Sequence, residues 1–171
     1  MVMKLDLVRC ETAERIREIW QTYHKSKFCI ASSIDADQFA PVHQIVSKFP
    51  SYVVPLVRSS QGAEFFYFRQ DGNYWLFYRL AEVQLRREEA APALKVVYYF
   101  DFFDDKKLVL MRGEIDPVAL TMIESQFLLN QVQVCYLDPR RLQSVVSFNR
   151  NPEKFNWNEL LDDIGMSAEK K

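Results

Sequence analysis

The strongest constraint on the fold is a series of short runs rich in β-branched and aromatic residues between residues 51 and 115. Such runs are typical of strands, and the short polar stretches "SSQG", "DGN" and "DDKK" between them are typical of turns that join antiparallel neighbours. Pro55 lies inside the first run and predicts a sheet edge or a bulge there, because proline lacks the N–H that a central strand needs. The sequence therefore predicts an antiparallel meander of the runs "SYVVPLVR", "AEFFYFRQ", "YWLFYRLAEVQL", "LKVVYYFDFF" and "LVLMRGEI".

Helical patterns precede this region. Residues 12–25 place apolar side chains three or four positions apart, which is the spacing of an amphipathic helix. A second helix is predicted over residues 35–49, with Asp35 and Gln38 forming a capping box at its start. The stretch "FCIASSI" between the two helices is predicted to be a short strand.

Helical patterns also follow the meander, where two short helices are predicted after residue 138 and Gly165 ends the second. A chain of 171 residues has the length of one domain. We therefore predict an α+β fold with a single domain over residues 1–165, an antiparallel β-sheet meander flanked by helices at both chain ends. Residues 166–171 are predicted to be a loose C-terminal tail.

The segment of residues 116–139 carries no charge between Glu124 and Asp138 and is rich in Gln and Asn. It is predicted to be a long helix with Asp116 as its N-cap and Pro117 at its first position. On a helical wheel its apolar residues form two roughly opposite arcs. The first arc is Leu120, Ile123, Phe127 and Val134, and the second is Val118, Met122, Leu129, Val132 and Tyr136.

Two interpretations of these arcs remain open. In the first, one arc packs on the sheet and the other packs under the terminal helices, and the amides satisfy backbone groups. In the second, the amide edge of Gln126, Asn130 and Gln133 reaches the surface as a contact strip, since protein interfaces are depleted in charge.

Composition and charge exclude several classes of function. The net charge is −1, the sequence pI is about 6.2 and no run is basic, so nucleic acid is not a predicted partner. The three cysteines have no disulfide or zinc spacing and are predicted to be reduced thiols. Apolar stretches are too short for a spanning helix, so we predict no membrane insertion.

Motifs for catalysis, cofactors and metals are not apparent. His24 and His43 have no partnered nucleophile, and the four glycines are accounted for without a phosphate-binding loop. Carboxylates cluster at residues 88–89 and 101–105, but their spacing does not match a calcium loop and a turn is where solvated charges belong. Arg112 and Glu114 are interpreted either as a cross-strand ion pair or as charges at a partner surface.

The chain nevertheless resembles a known family along nearly its whole length, in order from about Lys4 to Ile164. The stretches that carry the likeness include "TAERIREIWQTY", "FPSYVVPLVRSSQGAEFFYF", "LRREEAAPALKVVYYFDFFDDKKLVLMRGEIDP", "ESQFLLNQVQVCY" and "FNRNPEKFNWNELL". "LVLMRGEIDP", followed by the E-x-Q and N-Q-x-Q positions of the helix, is the most specific part. Together these stretches resemble the assembly factor family of the mitochondrial ATP synthase F(1) complex.

The resemblance implies a chaperone without enzymatic activity, located in the mitochondrial matrix although no presequence is apparent in this chain. It implies transient binding of the unassembled F(1) β subunit as a monomer, without cofactors, so that the surface later taken by α is covered. The partner-binding residues that we predict on this basis are Arg112, Glu114, Glu124, Gln126, Asn130, Gln131 and Gln133.

Two other hypotheses remain. The sheet and its helices could enclose a small-molecule pocket, as α+β domains often do; its walls would be Phe66, Phe68, Trp75, Phe77, Tyr98 and Phe100. Alternatively, the chain could be a scaffold subunit of a stable complex, which would require a large and permanent hydrophobic interface.

Overall fold

The computed structural model describes residues 3–59 and 62–163. Within these ranges the chain forms six strands, eight α-helices and two 3-10 turns. The strands are β1 (Cys29–Asp35), β2 (Ser51–Ser59), β3 (Gly62–Asp71), β4 (Tyr74–Arg79), β5 (Leu94–Tyr99) and β6 (Leu108–Ile115). The helices are α1 (Leu5–Val8), α2 (Ala13–His24), α3 (Ala36–Lys48), α4 (Leu80–Arg86), α5 (Phe103–Lys106), α6 (Met122–Leu137), α7 (Pro139–Arg150) and α8 (Trp157–Asp163). The 3-10 turns span Arg87–Glu89 and Pro152–Lys154.

All six strands form one antiparallel sheet in the order β1-β6-β5-β4-β3-β2. Each strand from β2 to β5 pairs with the next one along the chain, which confirms the predicted meander and the α+β class. Strand β1 returns to pair with β6, with Cys29 opposite Glu114. Strand β2 is an edge strand and contains Pro55 opposite Phe65, which confirms the edge position predicted from the proline.

The main core lies on one face of the sheet, which we call the inner face. Helices α3, α6 and α7 pack there, and α6 contacts both edge strands, β1 and β2, so the sheet curls around this helix. Aromatic side chains from three neighbouring strands fill the centre of this core with no exposed surface. They are Phe66, Phe68, Trp75, Phe77 and Tyr98.

A second, smaller core lies on the outer face of the sheet. Alternation along β6 points Leu108 and Leu110 to this face, where α1 and α2 cover them with Val8, Ile16 and Trp20. The indole N–H of Trp20 donates to the backbone carbonyl of Met111 over 3.1 Å and fixes α2 to the sheet. The helix predicted over residues 12–25 is thereby confirmed, with the Thr12 side chain accepting a bond from the Arg15 N–H as its N-cap.

The capping box predicted for α3 is wrong. Asp35 does occupy the N-cap position, but its side chain makes no capping bond. Its carboxylate instead accepts a hydrogen bond from the guanidinium of Arg17 on α2. The charged partner outcompetes the helix N–H groups, and the backbone N–H of Ala36 is satisfied by the carbonyl of Lys107.

Two predicted strands are also too long. The run of residues 74–85 leaves the sheet after Arg79 and becomes α4, because its second half, Leu-Ala-Glu-Val-Gln-Leu, consists mainly of good helix formers. The run of residues 94–103 ends at Tyr99, and the helical turn α5 follows. Lys107 ends that turn in the left-handed conformation, with φ of 53°.

The C-terminal helices are confirmed as α7 and α8. Asp138 caps α7 by accepting a bond from the backbone N–H of Arg140 over 2.9 Å. The predicted helix end at Gly165 and the predicted tail, residues 166–171, lie outside the described residues. Among the helices of the described ranges, none combines the length and apolarity needed to cross a bilayer.

Candidate protein-binding surface

Helix α6 begins at Met122, five residues later than the predicted first position at Pro117, and the reason is a better cap. The side chain of Thr121 accepts a bond from the backbone N–H of Glu124, and the Glu124 carboxylate accepts one from the N–H of Thr121 over 2.8 Å. This reciprocal capping box satisfies two N–H groups that a helix start otherwise leaves free. Asp116 was therefore wrongly predicted as the N-cap; its carboxylate holds a turn instead, accepting the Val118 N–H over 3.0 Å.

The buried face of α6 packs on the inner side of the sheet and against α3 and α7. The side chain of Tyr136 donates its hydroxyl to the carbonyl of Phe49, just before edge strand β2. The hydroxyl of Ser125 donates to the Thr121 carbonyl over 2.8 Å, so its burial leaves no polar group unsatisfied. The buried residues of the helix are Ser125, Leu128, Leu129, Val132, Cys135 and Tyr136.

The opposite face of α6 is exposed, whereas the first of the two interpretations required both apolar arcs to be covered. The exposed fraction is 81% for Ile123, 41% for Phe127, 41% for Val134 and 59% for Leu137. With exposed Asn130, these residues recur at alternating steps of four and three, which places them on one line along the helix. We call Ile123, Phe127, Asn130, Val134 and Leu137 the α6 stripe.

The five α6 residues predicted to bind a partner have different surroundings. Gln126 and Asn130 are exposed beside or within the stripe, and the amide of Gln126 donates to Asn130 over 2.9 Å. Gln131 accepts a bond from Arg141 of α7 over 3.3 Å. Gln133 faces the Tyr98 hydroxyl. Burial raises the pKa of Tyr98, and the Gln133 side chain offsets a part of this increase. Gln126 and Asn130 are thus the two amides best placed to meet a partner.

Glu124 belongs to an ionic network that holds the start of α6. Its carboxylate lies 3.2 Å from the Nε of Arg58 on β2, and a further nitrogen of Arg58 lies 3.2 Å from Glu64 on β3. Arg58 also donates to the carbonyl of Ala119 over 2.5 Å. Hydrogen bonds from Thr121 and the charge of Arg58 hold the pKa of Glu124 below its usual value, so the carboxylate remains charged at neutral pH.

Arg112 and Glu114 lie on the other side of the sheet from the stripe. They alternate with buried Met111 and Gly113 and therefore point to the outer face. Their charged groups are 3.8 Å apart on the same strand, so they form a loose pair along β6 and not the cross-strand ion pair that was one of the two interpretations. The Nε of Arg112 is buried without a hydrogen-bond partner in the described part of the chain.

A hollow of about 540 Å³, not predicted from the sequence, lies where the C-terminal end of α2, the start of β1 and the start of α6 meet. We call it the cationic hollow, because Lys25, Lys27 and His24 line it together with Cys29 and Met122. The ammonium of Lys27 stands 3.8 Å above the centre of the exposed Tyr23 ring. Met122 also precedes the first residue of the α6 stripe, so the two features adjoin.

His24 is the buried member of this hollow. Its Nδ1 lies 2.8 Å from the carbonyl of Trp20 and must donate to it, whereas Nε2 is buried with no partner among the described residues. Burial is the main cause that lowers the pKa of His24, the Trp20 carbonyl opposes it, and the charges of Arg112 and Lys27 lower it further.

The aromatic side chains proposed as pocket walls instead fill the core. The ring centres of Trp75 and Tyr98 are 5.0 Å apart, and those of Phe68 and Phe77 are 5.2 Å apart. Phe100 alone among the six lines a surface hollow, about 280 Å³ in volume, with Phe39 and His43. Within residues 3–59 and 62–163, His, Cys, Asp and Glu side chains form no group of three or more suited to a metal ion.

Sequence comparison identifies relatives over almost all of this chain. The profile of the family described as ATP11 protein matches residues 1–161. ATP synthase mitochondrial F1 complex assembly factor 1 of Homo sapiens is 31% identical over 175 residues, covering 99% of this chain and 53% of that protein. The Mus musculus protein of the same name is 30% identical and covers 99% of this chain and 54% of its own length.

A more distant relative is Protein atp11, mitochondrial, of Schizosaccharomyces pombe, 21% identical over 150 residues and covering 81% of this chain and 52% of that protein. The chain spans about half the length of the curated relatives that it matches. One solved structure, the di-domain ARO/CYC StfQ from the steffimycin biosynthetic pathway, aligns with 74% of this chain and 45% of its own, at 17% identity and a TM-score of 0.21, which is too low to bear on the fold. The match of the family profile to residues 1–161 places this chain in the ATP11 protein family.

Proposed function

We propose that this chain is a non-enzymatic chaperone that binds the unassembled β subunit of mitochondrial F1 and covers the surface that α later occupies. The names of the relatives, mitochondrial F1 complex assembly factors, support an F1 subunit as the client and the mitochondrion as the location. The matrix as the compartment is part of our proposal. A free subunit with an exposed apolar assembly surface tends to aggregate, and a transient partner prevents this by covering that surface.

The observation that carries the proposal is the α6 stripe. Four large apolar side chains are exposed along one line, and charged side chains are absent between Glu124 and Asp138. Isolated exposed apolar residues are common, but four of them in one row, with exposed amides within and beside it, are typical of a protein-binding surface. A single exposed helix face buries less area than a permanent interface, so α can displace the chaperone by mass action.

The test is size-exclusion chromatography with light scattering on the chain mixed with isolated F1 β subunit. We expect a one-to-one complex that dissociates when α subunit is added, and reduced aggregation of β in the presence of the chain. If neither a complex nor reduced aggregation is found at micromolar concentrations, the proposed function is wrong.

A variant pair tests the contribution of the stripe. Replacing Ile123 and Phe127 by Gln removes apolar surface from the stripe and is expected to weaken the complex at least tenfold, because central apolar contacts dominate binding energy. The matched control is Leu85→Gln on α4, where the side chain is 77% exposed, close to the 81% of Ile123. Equal losses in both variants would mean that surface hydrophobicity in general, and not the stripe, binds the client.

A further inference from the structure

The α6 stripe and the cationic hollow adjoin at the start of α6. Met122 lines the hollow and Ile123 begins the stripe, so the two features meet at consecutive residues. From Ile123 to Leu137 the stripe extends roughly 21 Å at the helical rise of 1.5 Å per residue, which is about four turns. A second helix of similar length could lie along the whole row.

The spacing within the stripe favours a helix as the occupant. Residues at alternating steps of four and three form the seam along which two helices pack side by side. Asn130 interrupts the apolar row at its centre, and its side chain already accepts a bond from Gln126. A polar residue in such a seam favours a polar residue opposite it, which fixes the register of the partner helix.

Charge at one end of the surface favours an acidic residue on the partner. Lys25 and Lys27 are exposed at the hollow, and Arg112 lies behind it on β6, in the strand position paired with Ala31 of the hollow. Glu114 offsets one of these three charges through its loose contact with Arg112. The excess is positive, although the chain as a whole carries a net charge of −1.

Two buried nitrogens in this region also lack partners in the described part of the chain: Nε2 of His24, in the wall of the hollow, and Nε of Arg112 behind it. Buried polar atoms without partners are rare, and such atoms are satisfied by an ordered water or by a group of a bound partner. An incoming carboxylate suits Arg112, which can only donate, whereas Nε2 of the neutral His24 ring is an acceptor and suits a donor group.

We propose that the stripe and the hollow together bind an amphipathic helix of the client protein. This helix carries apolar residues at alternating steps of three and four, a polar residue opposite Asn130 and a carboxylate side chain at the end that faces Lys25 and Lys27. The inference rests on the proposed function only for the identity of the client. The pattern of apolar, polar and acidic residues on the bound helix is inferred from the stripe and the hollow.

The first experiment uses synthetic helical peptides and the full chain. All peptides share one apolar stripe with a central Asn. Each peptide carries two Glu or two Lys residues at its N-terminus or at its C-terminus, so that both orientations of the bound helix are tested. Fluorescence anisotropy should give a dissociation constant about tenfold lower for the best Glu-ended peptide than for its Lys-ended counterpart at low salt. Equal affinities for the two would overturn the acidic part of the inference.

Variants of the chain locate the binding. Lys25→Glu with Lys27→Glu should reverse the preference, and the milder pair Lys25→Gln with Lys27→Gln, retained in case the first does not fold, should abolish it. Ile123→Gln with Phe127→Gln should weaken the binding of every peptide, whereas Leu85→Gln should leave the affinity for every peptide unchanged. Peptide binding that survives the stripe substitutions would overturn the inference.

The same variants are then measured with isolated F1 β subunit, which separates the two proposals. If β binds the wild-type chain and the variants equally, the docking surface is wrong while the proposed function stands. If β does not bind but the peptides behave as expected, the client is wrong while the surface is supported. If the stripe variants and the lysine variants both bind β more weakly than the wild-type chain does, the proposed function and the docking surface are both supported.

Discussion

The guanidinium of Arg58 and the carboxylate of Glu124 lie 3.2 Å apart, joining the exposed end of edge strand β2 to the first turn of α6. Arg58 also contacts Glu64 and donates to the Ala119 carbonyl, so one side chain secures the sheet, the loop before α6 and the helix start. Since the stripe begins at Ile123, next to Glu124, this network determines how the stripe is presented.

Arg58→Ala is therefore expected to lower the free energy of unfolding by about 1–2 kcal/mol, because it removes two ion pairs and a charge-assisted bond to a carbonyl. The control is Arg86→Ala, which breaks only the exposed pair with Glu82, 3.1 Å long and four residues apart on α4. That change should cost about 0.5 kcal/mol or less. Urea unfolding of both variants, followed by circular dichroism, measures the difference, and similar costs would contradict the role assigned to Arg58.

Thr121→Ala should destabilise the chain by about 1 kcal/mol, since it removes the cap of α6 and one half of the capping box. Asp116→Ala removes only the bond from the Val118 N–H in an exposed turn and should cost less. Urea unfolding compares the two substitutions. The dependence of the unfolding free energy on urea concentration should be the same for both variants and the wild-type chain. A larger cost at Asp116 than at Thr121 would support the helix start predicted from the sequence.

The start of α6 shows why part of the fold could be predicted and part could not. Strand runs separated by turns predicted the meander, because strand composition and turn chemistry are local properties. Asp116-Pro117 was the predicted start, whereas the observed start is the capping box of Thr121 and Glu124. Arg58, which is distant in sequence, also holds the Glu124 carboxylate, and local sequence patterns cannot show this contact. The capping box at Asp35 was wrong for the same reason, since Arg17 takes the carboxylate.

The candidate site was predictable only in outline. The sequence located an uncharged, amide-rich helix with two apolar arcs, and Gln126 and Asn130 do lie at its surface. Which arc is exposed depends on how the sheet curls around the helix, and helical spacing alone contains no information on this. The cationic hollow combines residues 21–31 with Met122 of α6, and Met122 is too far away in the sequence for a local motif to connect it to the others.

The buried face and the exposed face of α6 should respond differently when a side chain is shortened to Ala. Leu128 has no exposed surface, and Leu128→Ala should cost about 2–5 kcal/mol through lost burial and a cavity. Ile123→Ala should change stability by about 0.5 kcal/mol or less, because the side chain is 81% exposed. Guanidinium unfolding measures both. A large cost at Ile123 would mean that this side chain is covered by the chain itself and is not free for a partner.

Acidification is expected to weaken the fold through both histidines. Burial lowers the pKa of His43, whose ring lies between Phe39 and Phe100, and it is also the main cause that lowers the pKa of His24 from 6.5. Between the lowered pKa and 6.5 the unfolded chain binds more protons than the folded chain, so the free energy of unfolding must rise with pH in that window. Their contribution is complete above about pH 6.5 and is lost progressively below it.

The Cε1 proton resonances of the two histidines, followed by NMR between pH 8 and 5, test this directly. Both should titrate below 6.5, and His43→Gln assigns the two signals by removing one of them. Urea unfolding at pH 7.5 and 5.5 should show lower stability at the lower pH. A His24 resonance that titrates above 6.5 would contradict the lowered pKa. It would mean that the hydrogen bond to the Trp20 carbonyl, or an anion in the cationic hollow, outweighs the effect of burial and of the positive charges of Arg112 and Lys27.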